Sequence, residues 1–349
     1  MSGSSTANLS GTKESITFDE TLSMSRRIHK FLHSQPIAAP SIVLFLALVV
    51  FSTVVGTRFF HPFNLSLVLQ QVTIIGTIGV AQTLIILTAG IDLSVGAIMV
   101  LSSVIMGQMG VDFGFQASIA IFIGLLVGAG CGCINGLLVT RFKLPPFIAT
   151  LGTLSIFWAL NLWYSGSETI GSQEIDQYAP FLKWTGQSFD FLGARLTYGS
   201  IIMVAIFILV WYALSYTAWG KHVYATGDNP ETAELVGIST RRILMSVYIV
   251  AGIICAMGAW ILIGRIGSVT PIAGQTSNLD SITAVVIGGT SLFGGRGSIF
   301  GTLIGALIVG VFRNGLALSG VDVLWQEFTV GVLIIIAVAI DQWIRKVGT

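Results

Sequence analysis

Long apolar runs separated by short polar segments make up most of this chain from about residue 39 onwards. A helix crosses the hydrocarbon core of a bilayer with about 20 apolar residues, so each run is a candidate membrane span. The pattern predicts an all-α integral membrane protein with about ten transmembrane helices. The third and eighth runs are short or rich in glycine, which makes them candidates for broken or re-entrant helices. The predicted spans are 39–58, 66–88, 94–111, 115–139, 146–165, 197–217, 243–263, 280–293, 298–318 and 324–343.

The composition supports a membrane environment. Hydrophobic residues make up 54% of the chain and charged residues 9%, with a mean hydropathy of +0.87, whereas about a quarter of the residues in soluble domains are charged. The formal net charge of +1 gives no argument for nucleic acid as a partner. Cys131, Cys133 and Cys255 lie inside apolar runs, so they are interpreted as buried free thiols and not as metal ligands.

The distribution of Lys and Arg predicts the orientation, because cytoplasmic segments are enriched in these residues. With the N-terminus inside, 12 of the 17 lie on the cytoplasmic side, and the other five are Arg58, Lys183, Arg195, Arg265 and Arg313. Both termini are therefore predicted to be cytoplasmic. Residues 1–38 form a polar cytoplasmic tail, 39–346 the membrane domain and 347–349 a C-terminal tail. The two longest loops are 166–196, predicted outside, and 218–242, predicted inside.

An aspartate stands in a glycine-flanked segment between the second and third spans. Asp92 is the only ionisable residue from about residue 65 to 109, and a carboxylate at membrane depth is costly unless it has partners. Gly90 suits the left-handed position at a helix end, and Asp92 or Ser94 is expected to cap the next helix. The segment, which continues to Gly96, is interpreted either as a capped turn or as a moving element that gates a path.

The predicted inner loop contains the pattern of a short capped helix. Asn229 suits the N-cap, Pro230 the first helical position and Gly237 the end. Such a helix is too short to be stable alone, so it packs either on the chain's own helices or on a cytoplasmic partner. A partner is favoured, because a plain connection needs only about four residues. The predicted docking residues are Asp228, Asn229, Glu231, Ala233, Glu234, Leu235 and Gly237, and Ala233, Leu235 and Val236 are expected to be exposed.

Ionisable side chains are absent from the centres of most predicted spans, which disfavours ion- or proton-coupled transport. A lining of amides, hydroxyls and aromatic rings suits a neutral hydroxylated solute instead. For each amide, the alternative is a hydrogen bond between helices. The chain has no phosphate-loop motif, so any ATP must bind to another chain. The predicted path residues are Gln70, Gln82, Asn135, Trp158 and Asn161.

Small residues recur in the second half of the chain. Gly301 and Gly305 are four residues apart and are expected to lie on one helix face, where they permit close packing. The pattern over residues 284–310 loosely echoes that of residues 80–107, which is consistent with a degenerate internal repeat of the kind found in transporters.

Several motifs together carry a family resemblance. The chain resembles bacterial monosaccharide ABC-importer permeases of the ribose, xylose and arabinose group over about residues 40–346. Two further segments, Gly264–Pro271 and Ile336–Lys346, look most like the fructose permeases of rhizobia. The main motifs, in chain order, are Thr88–Gly96, Asn135–Val139, Leu144–Gly152, Gly227–Ala233 and Ala284–Gly295.

The resemblance implies a translocation subunit of the bacterial inner membrane that is not itself an enzyme and binds no cofactor. It implies two permease copies, a cytoplasmic ATPase that holds ATP and magnesium, and a periplasmic sugar-binding protein. The segment 228–238 is then the candidate ATPase-docking element. Two alternatives stay open at this point: an ABC permease for nucleosides or branched-chain amino acids, and a secondary transporter or channel that works alone.

Overall fold

The computed structural model describes residues 37–191 and 193–347. The predicted N-terminal tail therefore lies almost entirely outside the described residues, as do residues 348 and 349. The described part is mainly helical, with 3-10 helices at Gly56–Arg58 and Pro180–Gly186 and an antiparallel hairpin of β1 (Ser188–Phe191) and β2 (Ala194–Thr197). The helices are α1 (Ala38–Val55), α2 (Pro62–Leu87), α3 (Val95–Val111), α4 (Ala117–Thr140), α5 (Pro146–Ser165), α6 (Ser172–Tyr178), α7 (Tyr198–Tyr216), α8 (Ala218–Asp228), α9 (Pro230–Leu235), α10 (Thr240–Ile266), α11 (Ser277–Ile287), α12 (Ile299–Leu318) and α13 (Val323–Val347).

Seven helices of the described chain are long and apolar enough to cross a membrane, and three shorter apolar helices accompany them. The shorter ones are α3, α11 and the part of α13 from Val323 to Ile336. The structure thus has an apolar helix in each of the ten predicted runs. The eighth run differs most from its prediction of 280–293, because α11 ends at Ile287 and Gly289, Gly294 and Gly295 then take positive φ in a turn.

The two short apolar helices pack on different sets of neighbours. Helix α3 packs on α4, α5 and α10, whereas α11 packs on α2, α12 and α13. The internal repeat suggested by residues 80–107 and 284–310 stays a prediction.

The short helices α3 and α11 begin beside each other inside the bundle. Gly96, in the first turn of α3, lies so close to α11 that an added Cβ would be 3.3 Å from the backbone nitrogen of Asn278. The 11 residues of α11 rise about 16 Å, which is about half of a 30 Å hydrocarbon core. Both helices begin after a non-helical segment.

The helices α3 and α11 lead to opposite ends of the bundle. The N-terminal approach to α11 is fixed at one end, the hairpin end, where Val269 and Ile170 form an antiparallel bridge. The exit from α11 is fixed at the other end, the α8–α9 end, where the Gly295 N–H donates to the Leu87 carbonyl oxygen at 3.0 Å. Residues 269–295 therefore connect the two ends of the molecule.

Close packing of α12 on α11 uses the two glycines that the sequence placed on one face. A Cβ on Gly301 would overlap the Gly288 carbonyl oxygen, and a Cβ on Gly305 would overlap that of Ala284. The prediction that Gly301 and Gly305 permit a close helix contact is confirmed.

Candidate functional site

A cavity of about 500 Å³ opens where α3 and α11 begin. Its volume is within the range of about 300–1,000 Å³ that is usual for small-molecule sites. Residues of α3, of α5, of the segment that leads into α11 and of the first turn of α11 line it: Gly96, Ala97, Leu154, Ser155, Trp158, Ala159, Leu162, Gly274, Gln275 and Asn278.

The described lining of this cavity contains no charged side chain. Ser155, Gln275 and Asn278 contribute polar atoms, and Trp158 contributes an aromatic ring. The Asn278 amide Nδ2 donates to the Leu93 carbonyl oxygen at 3.2 Å, whereas Oδ1 is buried without a hydrogen-bond partner among the described residues. A buried acceptor without a donor costs about 1–3 kcal/mol. Because its described lining is uncharged, the cavity is suited to a neutral molecule.

Of the predicted path residues, Trp158 alone is among those that line this cavity. Asn161 is fully buried and donates to the backbone of the segment before α11. Asn135 donates to Asp92 and Ser94. Gln70 and Gln82 both lie on α2. Gln275 and Asn278 were missed, although two amides in a glycine-rich stretch between apolar runs are a signal that sequence reasoning can use.

The turn after α2 differs in detail from its prediction. The left-handed residue is Ala89, with φ of 60°, and Gly90 is not left-handed. The Gly90 N–H donates to the Ile85 carbonyl oxygen and the Ala89 N–H to that of Ile86, which is a Schellman motif. Because α2 ends at Leu87, the left-handed position falls on Ala89, one residue before the glycine that was predicted to occupy it.

Asp92 organises a buried polar cluster and does not cap α3 directly. Its carboxylate accepts from the Ser94 N–H and hydroxyl, both at 2.6 Å, and from Asn135 Nδ2 at 3.2 Å. Asn135 also donates to the Ser94 hydroxyl at 2.8 Å. Ser94 precedes α3 without a side-chain cap bond, so the expectation of a cap from Asp92 or Ser94 was wrong. The cluster instead ties the turn to α4, which carries Asn135.

The predicted docking helix is present as α9. Asn229 Oδ1 accepts from the Thr232 N–H at 2.9 Å, and Gly237 with φ of 87° follows the helix, as predicted. Leu235 and Val236 are 87% and 71% exposed. The expected exposure of Ala233 was wrong, because this residue is 3% exposed and faces the rest of the chain.

Other docking residues have intramolecular contacts or belong to a helix that the sequence did not indicate. Glu234 accepts from the Thr240 hydroxyl, which joins α9 to α10. Asp228 is the last residue of α8, an 11-residue helix that was predicted as loop. Glu231 is exposed in the first turn of α9.

The ends of α2, α8 and α11 meet in one junction. Gly227 of α8 lies so close to α2 that a Cβ would overlap the Leu87 carbonyl oxygen. The same oxygen accepts from the Gly295 N–H, and the Tyr224 hydroxyl donates to the Gly297 carbonyl oxygen at 3.0 Å. Burial raises the pKa of Tyr224, which keeps this donor protonated. The segment after Leu87, the docking region and the glycine-rich turn are thus in direct backbone contact.

A charged cluster joins the three helices of the second half. Arg313 of α12 pairs with Asp280 of α11 at 2.7 Å and with Glu327 of α13 at 2.8 Å. The charge count assigns Arg313 to the outer side of the membrane, and the structure places it inside α12, within the predicted span 298–318. Neither carboxylate was singled out from the sequence, because each lies far from Arg313 along the chain.

Comparisons with known proteins identify the family. The profile described as the permease component of branched-chain amino acid transport systems matches residues 64–338. The fructose import permease protein FrcC of Rhizobium meliloti is 58% identical over 330 residues, covering 95% of this chain and 91% of the relative. The ribose import permease protein RbsC of Bacillus subtilis is 41% identical, covering 87% and 92%.

A more distant relative is the D-allose transport system permease protein AlsC of Escherichia coli, which is 34% identical over 87% of this chain and 91% of its own length. No solved structure matches the chain. The resemblance to sugar importer permeases is thereby confirmed. With a profile match over most of its length and relatives of this similarity, the chain belongs to the family of ABC-importer permease components, as a multi-pass membrane protein.

Proposed function

We propose that this chain is the transmembrane subunit of an ATP-driven importer that carries a monosaccharide, such as fructose or ribose, across the bacterial inner membrane. The observation that carries this proposal is the 58% identity to a fructose import permease over 95% of the chain. The family description names branched-chain amino acids. Such a zwitterion needs partners for two charges, and the described cavity lining offers none.

The same proposal includes three kinds of partner. A separate ATPase binds ATP and magnesium and contacts the exposed Leu235 and Val236 of the docking region. A second copy of the chain forms the other half of the path. A periplasmic sugar-binding protein contacts the hairpin end, where the exposed carboxylates are Glu168, Glu174, Asp176 and Asp190.

We further propose ten spans with both termini in the cytoplasm. The orientation is supported by the 12 of 17 Lys and Arg residues that it places inside, and the position of α6 with the hairpin opposite α8 with α9 fits loops on different sides. Labelling of Ser172→Cys and Leu235→Cys in a background without native cysteines tests it. An impermeant reagent outside the cell should modify position 172 alone, and modification of position 235 alone would reverse the orientation.

Uptake of labelled sugars by cells that lack only this gene tests the function. Fructose or ribose uptake should be lost in the deletion strain and restored by the gene together with its ATPase. Restored uptake of leucine or of a nucleoside alone would assign the chain to another substrate class. Sugar uptake that persists when the ATPase is inactivated would indicate a secondary transporter.

A further inference from the structure

We propose that the end of α4 and the start of α10 form a binding site for an anionic phospholipid of the inner leaflet. In this site Arg141, Arg241 and Arg242 contact the headgroup phosphate, and an exposed apolar face of α4 contacts an acyl chain. The inference goes beyond the proposed function and takes from it only the orientation, which puts this part of the bundle on the cytoplasmic side.

The helices α4 and α10 pack closely and antiparallel through small residues. A Cβ on Gly128 of α4 would overlap the Gly252 carbonyl oxygen of α10. One turn further along α4, a Cβ on Gly132 would overlap the carbonyl oxygen of Tyr248. A step of four residues forward on α4 therefore corresponds to a step of four residues back on α10.

This register brings cations of the two helices together. In the next turn, a Cβ on Gly136 would be 2.8 Å from Sδ of Met245, so the close contact continues towards the end of α4. Helix α4 ends at residue 140 and α10 begins at residue 240. One more turn in the same register places Arg141, directly after α4, beside Arg241 and Arg242 in the first turn of α10.

The junction carries a local excess of positive charge. Its exposed cations are Arg141, Lys143, Arg241 and Arg242. None of the four forms an ion pair with any residue that the structure describes. Ser239 makes no side-chain cap bond to the first N–H groups of α10, so the positive end of the helix dipole adds to the potential. Guanidinium groups and a helix N-terminus both suit a phosphate.

The surface that leads to these cations is apolar. Ile134 and Leu137 of α4 are 47% and 41% exposed, and with Arg141 they follow the spacing of one helix face. Phe142, directly after Arg141, is 68% exposed. A phospholipid matches both surfaces with one molecule, because its phosphate is joined to acyl chains, whereas an acidic protein segment matches the charges alone. Basic pockets between membrane helices on the cytoplasmic side are suited to anionic headgroups.

Lipid binding to the full-length permease in detergent tests the site. Titration followed by native mass spectrometry should show that the wild type binds phosphatidylglycerol at least about fivefold more tightly than phosphatidylcholine. The double variant Arg141→Gln, Arg241→Gln should lose this preference while it keeps the wild-type unfolding temperature without added lipid. The matched control, Arg58→Gln with Arg195→Gln, removes two exposed arginines at the hairpin end and should retain it. Equal phosphatidylglycerol affinities of the two double variants would overturn the site.

Two further measurements separate the lipid from other partners. Inorganic phosphate should not displace the bound phosphatidylglycerol, and displacement would indicate a site for free anions instead. If the Arg141→Gln, Arg241→Gln variant binds lipid normally but recovers less ATPase in pull-downs, the cations form a protein-docking surface and the lipid site fails. The titration needs neither sugar nor ATPase, so its result is independent of transport: absence of sugar import by the wild type would overturn the proposed function alone.

Discussion

At the scale of single residues, the polar groups around Asp92 are the most specific feature of the fold. The sequence alone shows that a carboxylate at residue 92 needs partners, because no other ionisable group is near it along the chain. It does not show that Asn135 supplies one of them, because that contact depends on how α4 packs on α3. The sequence also did not predict that Ala89, and not Gly90, is left-handed. The left-handed position depends on α2 ending at Leu87 and not on where the glycine lies in the sequence.

Replacing Asp92 tests the cluster. Asp92→Leu leaves the Ser94 N–H and hydroxyl without their acceptor, at about 1–3 kcal/mol for each buried group, and removes one of the two acceptors of the Asn135 amide. Sugar uptake and thermal stability in detergent should therefore both fall strongly. Asp92→Asn should be milder, because one oxygen still accepts from Ser94. Combining Asp92→Asn with Asn135→Asp restores the pairing and should recover uptake. Full uptake by the Asp92→Leu variant at normal abundance would show that transport does not require the cluster.

Ala89 offers a stabilising substitution. An alanine in the left-handed region costs about 1–2 kcal/mol relative to the right-handed region, and glycine avoids this cost. Ala89→Gly should therefore raise the unfolding temperature in detergent, by an amount that corresponds to about 1 kcal/mol. The matched control is Ala213→Gly inside α7, which should lower it by a similar amount because glycine disfavours a helix interior. A lower unfolding temperature for Ala89→Gly would show that the methyl group has a packing role.

At the scale of elements, the sequence predicted the long helices and both short apolar ones, because length and hydrophobicity decide them. It did not predict α8, since Gly220 and Gly227 weaken the helical pattern there. In the structure these glycines lie against neighbouring backbone, so tertiary contact outweighs their low helix propensity. The same packing explains why Ala233 is buried although the neighbouring Leu235 is exposed.

The docking region gives an element-scale prediction. Glu231→Lys and Leu235→Ser change exposed side chains and should leave the abundance of the permease unchanged. If α9 binds the ATPase, recovery of the ATPase in pull-downs and sugar-stimulated ATP hydrolysis should each fall by about tenfold, which corresponds to about 1.4 kcal/mol at one contact. Lys221→Glu, an exposed charge reversal on α8, is the control. Wild-type recovery of the ATPase with both variants would contradict the docking role.

The Arg313 cluster gives a second prediction at this scale. Arg313→Gln leaves Asp280 buried without its cation and should destabilise the protein by about 3–5 kcal/mol. Adding Asp280→Asn removes the uncompensated charge and should recover much of that loss. Unfolding in detergent measures both. Equal stability of the single and double variants would mean that the ion pair does not hold α11 against α12.

At the scale of the whole molecule, the fold brings the starts of α3 and α11 together. The sequence could not predict this contact, because Gly96 and Asn278 are far apart along the chain, and the internal repeat that its pattern suggested stays a prediction. The cavity could not be predicted either, since it is formed by three segments that are distant in the chain. The sequence does predict a neutral solute, because charged residues are absent from most span centres. The uncharged lining of the cavity agrees with that prediction.

The second copy in the proposed function, which forms the other half of the path, leads to a cross-linking prediction. Ala159→Cys, on the exposed face of α5 beside the cavity, should form a covalent dimer with a bis-maleimide in native membranes. Leu209→Cys, which is exposed on α7, is the control and should form much less. Similar dimer yields at the two positions would place the interface elsewhere.

The segment from Val269 to Gly295 has one more consequence. It is a single stretch of chain whose first residue bonds to the hairpin end and whose last bonds to the end of α2 beside the docking region. Energetic coupling between two sites is reciprocal by thermodynamic necessity. If events at the ATPase alter the hairpin end through this stretch, then occupancy of the hairpin end must alter the affinity of the docking region by the same factor. Binding at the hairpin end and binding at the docking region would then share a single coupling free energy, which could be measured at either end.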